Sequence, residues 1–174
     1  MKARKMLSDW DAPYIQALVT LIETQSKRTL AVWALDYAES VLLPLFSKDF
    51  PDDLRPKSAL DAAHAWLSGA IKLPQAKKAI LACHEAAREA EGHPAAQAAA
   101  RAIGQAASTI HSARHCIGLP LYGALAVAYA ALGPHAPWEQ IEGRAAEECG
   151  HMLKALQSIA VRNEPNPAKI DWKC

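Results

Sequence analysis

The chain has 174 residues, 51% of them hydrophobic, a proportion that suits a globular fold and excludes a disordered one. Its 19 basic and 18 acidic residues leave a formal charge of +1. No global field recruits nucleic acid or an anionic membrane, and no Lys/Arg run creates a local one.

The dominant hydrophobic period is helical, with Pro and Gly at the expected ends, and it predicts an all-α bundle of about seven helices. A first helix runs from Pro13 to Thr24, with Asp11 as its candidate cap. Ser26 opens a longer second helix to about Phe46, which Pro44 kinks or ends. After the loop FPDDLRP, Asp53 is placed to cap a third helix reaching Ser68. Pro74 starts a fourth that stops at Gly92, a position suited to a left-handed cap. Pro94 starts a fifth, to about His111, and a sixth occupies Leu119 to Leu132. Pro137 opens the seventh, which reaches about Arg162. The tail NEPNPAKIDWKC (163–174) is extended and carries Ile170 and Trp172 on one face, so it is expected to pack back onto the helices. This length and pattern predict one domain over residues 1–174, with a core that needs neither disulfide nor metal.

The fifth helix stands apart in composition. Ala95 to Ala107 holds eight alanines in 13 residues, plus Gly104. A helix with so little side-chain volume lets its neighbours approach its backbone, which predicts a central, enclosed position.

Cys83, Cys116, Cys149 and Cys174 are widely spaced and form no CxxC pair; they read as reduced thiols in a cytosolic protein, Cys174 being exposed to reaction simply as the terminal residue. The opening MKARKMLSDWD lacks the apolar stretch of a signal peptide, and a cytoplasmic location is expected. Cys116 to Ala136 carries no Asp, Glu, Lys or Arg, yet Gly118, Pro120, Gly123 and Gly133 interrupt it. It is expected to be a buried core helix rather than a membrane span.

Two constellations are candidates for chemistry. In the second helix Val32, Leu35, Asp36, Glu39, Leu42 and Leu43 share a face by the 3.6 period, which sets two carboxylates in an apolar stripe. Buried carboxylates need cations beside them, and Arg55, Arg88, Arg101 and His84 are the candidates. The arrangement reads either as an internal ion-pair network or as a polar pocket for a ligand or a partner's side chain. In TIHSARHCIG, His111 and His115 have the i, i+4 spacing of two metal ligands on one helix face. A third ligand would come from His84, Asp36 or Glu39, and a helix break near Ser112 would spoil the geometry. The preferred reading is that His111 and His115 are hydrogen-bonded core residues and hold no metal. Trp33, Trp66 and Trp138 fall at core spacing, and the pair Glu147 and Glu148 reads as solvated surface, at least in part. There is no Gly-rich phosphate loop, nucleophile elbow or Walker pattern, and no cofactor is expected.

The stretches LVTLIETQSKRTLAVWALDYAESVLLPLF, FPDDLRPKSALDAAHAWLSG and CHEAAREAEGHPAAQAAARAIGQAASTIHSARHCIGLPLYGA, with AAEEC and NEPNPAKIDWKC towards the end, cover nearly the whole chain. Together they resemble the immunity-five-like family of immunity proteins of bacterial polymorphic toxin systems. The resemblance implies an all-helical protein that binds and neutralises a cognate toxin, with no catalytic role attached to particular residues. The positions that match its motifs are Asp36, Glu39, Arg55, Pro56, His84, Arg88, His111 and His115. Lys57 stands where many members have Arg, a departure that keeps the charge.

Three functions therefore compete: a toxin-binding protein; a metal-dependent or His/carboxylate enzyme with its site between the second, fourth and fifth helices; and a helical structural or regulatory protein without a small ligand.

Overall fold

The computed structural model describes residues 3–173; Met1, Lys2 and the terminal thiol of Cys174 lie outside them. Seven helices follow one another: α1 Pro13–Ile22, α2 Lys27–Asp49, α3 Arg55–Leu67, α4 Leu73–Glu89, α5 Pro94–Ser108, α6 Ala113–Leu132 and α7 Trp138–Ile159, with no strand among the described residues. The fold is all-α.

The helix starts show where local chemistry decides and where it does not. Ser26 caps α2, its hydroxyl accepting the Thr29 N–H at 3.2 Å. Asp11 does not cap α1, which begins after Ala12 without a side-chain cap. Asp53 lies one residue outside the cap of α3, where it accepts the Arg55 N–H at 3.1 Å and turns its other oxygen to the Arg55 guanidinium. Gly92, with φ of +91°, turns the chain between α4 and α5.

Pro44 neither ends nor breaks α2. A proline cannot donate to the carbonyl four residues back and crowds it. The helix meets this with a π turn over Ala38–Leu42, in which the Leu43 N–H reaches back to the Ala38 carbonyl. In α6, Pro120 sits in the first turn of a π segment over Leu119–Ala124, which follows a 3₁₀ opening at Ala113–Ile117. That opening lies upstream of the expected start at Leu119, and α5 correspondingly ends at Ser108 rather than at His111.

α5 is the centre of the bundle, in contact with α2, α3, α4 and α6. Its alanines from Ala98 to Ala100, and Ala102, Ile103, Gly104, Ala106 and Ala107, are all buried. Gly104 shows how close the neighbours come: a Cβ there would sit 2.5 Å from the His84 ring of α4. On α2 the buried seam is Leu30, Ala31, Trp33, Ala34, Leu35, Tyr37, Ala38, Leu42 and Phe46, and the Trp33 indole donates to the Met152 carbonyl of α7 at 3.0 Å. Burial pushes the Cys83 and Cys149 thiols up to about 12, so both are inert core residues.

α2 and α6 are each long and apolar enough to cross a bilayer, but their apolar seams are used inside the fold, most of the α6 stretch being buried. The segment after α7 returns across the start of the chain. The Ala168 N–H donates to the Gln25 carbonyl at 2.8 Å, and the Trp172 indole donates to Glu23 at 2.8 Å and packs against Trp10. Gln25 is only 2% exposed, and its side chain accepts the Val161 N–H and donates to the Val161 carbonyl.

Candidate functional site

The two carboxylates of α2 are not buried. Asp36 and Glu39 are exposed; Glu39 lies 3.7 Å from the His64 ring of α3, and Asp36 makes no ion pair among the described residues. The expected apolar stripe fails for a geometric reason. Val32, Asp36, Glu39 and Leu43 lie along the flank of α2, with Val32 and Leu43 only half-buried, while Leu35 and Leu42 belong to the seam one step round the helix. The π turn at Ala38–Leu42 then shifts the phase of everything that follows.

The arginines expected beside those carboxylates lie elsewhere. Arg55 forms a bridge from the start of α3 to the end of α4, its guanidinium 2.7 Å from Asp53 and 2.6 Å from Glu89. Hydrogen bonds from Arg55 hold both carboxyls below their ordinary values. Beside it Pro56 is buried in the first turn, and Lys57 pairs with Asp61 one turn on.

The buried carboxylate of this protein is Glu148 on α7, 4% exposed. It accepts the Tyr37 hydroxyl at 2.5 Å, an Arg144 N–H at 2.9 Å, and lies 3.3 Å from His151 Nδ1. Burial alone raises the Glu148 carboxyl, but the hydrogen bonds from Tyr37, Arg144 and His151 outweigh it and hold the group below its ordinary value. Burial, and then the same hydrogen bond, pushes the Tyr37 phenol well up. The expectation of a solvated pair is right for Glu147, whose side chain is 71% exposed, and wrong for Glu148. The signal was in the spacing: Glu148 falls seven residues after Ile141, three after Ala145 and four before Met152, all of them buried.

His84, His111 and His115 do come together, although not as two ligands on one helix. His111 lies in the turn after α5 and His115 in the 3₁₀ opening of α6, with ring centroids 5.5 Å apart. His115 Nδ1 is 2.8 Å from the Gln105 side-chain oxygen, and His111 Nδ1 is buried without a hydrogen-bond partner. Burial holds all three rings below the ordinary imidazole value, and His115 is lowered further by His111, Arg114 and His84 around it. Asp36 and Glu39 do not join them: among the described residues no group of three or more His, Cys, Asp or Glu side chains is placed to hold a metal ion. The His84 ring of α4 packs against Gly104 of α5, and His115 joins the start of α6 to α5 through Gln105.

Arg88 and Arg101 open onto a cleft of about 650 Å³ between the N-terminal segment, the α4–α5 turn and the loop after α6. Arg4, Lys5 and His135 share its wall, and Glu91 is its one carboxylate. Arg4, Lys5 and His135 lie far from Arg88 in sequence and carry no motif, so nothing local could have joined them. The N-terminal segment is firmly held. The Leu7 N–H donates to the Leu121 carbonyl at 2.9 Å, the Tyr129 hydroxyl to the Arg4 carbonyl at 3.0 Å, and the Arg4 guanidinium lies 3.8 Å above the Trp138 ring.

The fold and these sites define an all-helical scaffold whose buried carboxylate is partnered by neighbouring side chains and whose surface carries a basic cleft. The family described as Imm-5 like putative immunity protein matches residues 20–155, and the chain belongs to that family. No curated protein and no solved structure matches it.

Proposed function

We propose that this protein binds a cognate bacterial toxin and holds it inactive in the cytoplasm of the cell that makes both. Membership of an immunity-protein family over residues 20–155 is the observation that carries this reading. The geometry supports it. The buried carboxylate Glu148 and the half-buried His115 are hydrogen-bonded to neighbouring protein groups, whereas the basic cleft faces outward. A rigid body with outward-facing charge is suited to recognition of a protein surface.

The test is co-expression with a toxin domain encoded beside this chain, followed by calorimetric titration of the purified pair. Growth is expected to be rescued, with protection saturating at one chain per toxin molecule. Continued growth arrest and no heat of binding would overturn the proposal. Protection far below stoichiometric amounts would instead point to an enzyme acting on the toxin or its product.

A further inference from the structure

We infer that the cleft lined by Arg4, Lys5, Arg88, Arg101 and His135 is the seat of an acidic segment of the toxin, whose carboxylates pair with these side chains. The inference rests on the toxin-binding function proposed above and adds to it the contact face and the chemistry of the partner.

The first ground is local charge. The chain as a whole is balanced, with 19 basic and 18 acidic residues, but this wall sets four Lys/Arg side chains against Glu91 alone. The second is that these cations are unspent. Arg55 and Arg144 are held in ion pairs, whereas Arg4, Lys5, Arg88 and Arg101 make none among the described residues. Four cations set against one carboxylate repel one another on balance, a cost that an anionic partner removes.

The third ground is that the wall is formed in advance. Arg101 projects from α5, the most enclosed helix, and is half-buried. Arg4 is clamped over Trp138, with its carbonyl bonded to Tyr129. Cations held this way lose little freedom on binding. Ala3, Pro94, Ala98 and Pro134 supply an apolar floor between them, suited to the aliphatic parts of a peptide.

A protein fits this cleft better than a nucleic acid does. Single strands are held by basic tracks whose aromatic rings stack on bases. No Phe, Tyr or Trp lines this cleft, and the nearby face of Trp138 is occupied by Arg4.

The experiment measures binding of the full chain to the toxin domain encoded beside it, for the wild type and for K5E/R88E. Both side chains are exposed and make no ion pair among the described residues, so the double reversal is expected to melt like the wild type. Its Kd should rise by about 30-fold or more, mainly through slower association, and the salt dependence of binding should flatten. Arg101→Gln, which removes charge without reversing it, should weaken binding by about tenfold. Lys154→Glu, on α7 outside the cleft, should change Kd by less than about threefold. If the wild type binds toxin and K5E/R88E binds it within about threefold, the cleft is not the seat, although the immunity function stands. If the wild type binds no toxin, that function falls and this inference falls with it. A single-stranded DNA oligonucleotide that binds the wild type, competes with the toxin and is lost in K5E/R88E would assign the cleft to phosphate instead.

Discussion

Glu148 and the basic cleft are opposite answers to the same electrostatic problem. At Glu148 a carboxylate has been taken out of water and surrounded by a phenol, a guanidinium and an imidazole. In the cleft, four cations have been gathered at the surface against the single carboxylate Glu91, and none of the four makes an ion pair among the described residues. A buried charge that is fully partnered ties helices together, here α2 to α7, and has nothing left to offer a ligand. Unpaired surface charge contributes little to stability and remains available for recognition.

The largest test of that contrast is Glu148→Ala. It leaves the Arg144 guanidinium and the Tyr37 hydroxyl without their acceptor, and should cost about 3 kcal/mol in urea denaturation. A loss below about 1 kcal/mol would place Glu148 with the surface charges. Next is Gly104→Ala. The added Cβ meets the His84 ring at 2.5 Å, and the overpacking should cost about 2 kcal/mol, offset in part by the helix preference of Ala, about 1 kcal/mol. His84→Ala in the same chain should recover most of the loss, and a double-mutant cycle measures the coupling.

A third test is the pH dependence of stability. The folded values of His84, His111 and His115 are depressed, so between those values and the ordinary imidazole value of about 6.5 the unfolded chain binds more protons. Their contribution is complete above about pH 6.5 and is lost as pH falls through the folded values. Melting temperatures taken from pH 8 to pH 5 should therefore fall on the acid side, and replacing His115 with Gln should flatten part of that fall. The depressed Glu148 carboxyl acts with the same sign lower down, its contribution complete above about pH 4.3 and lost as pH falls through its folded value. The smallest effects belong to Asp36→Ala and Glu39→Ala. Both side chains are exposed, and each change should stay within about 0.5 kcal/mol. A loss of several kcal/mol at either position would restore the buried polar stripe that the structure replaces.

Much of the fold was legible because helix periodicity and Pro/Gly punctuation act over a few residues. The central place of α5 could be read from Ala95–Ala107, since a helix without bulk is useful only where others pack closely against it. The site was less legible. Counting a regular period along α2 placed Asp36 and Glu39 with the core, because it took the flank that carries them for the buried seam one step round the helix. Nor could it register the π turn that shifts the residues after Ala38. The same counting along α7, which contains no proline, would have found Glu148.

Sequence alone therefore determined the helices, their order and the enclosed small-sided centre, because those follow from local preference and from volume carried by each stretch of chain. Tertiary structure decided the charges. Arg55 could have faced Asp36 as readily as Asp53 and Glu89, and Arg88 could have closed an ion pair rather than opened a cleft with Arg4 and Lys5. Coulomb attraction has no period along a sequence. A side chain's partner is whichever opposite charge the packed backbone brings within a few ångströms, and that is set only when helices distant in the chain have met.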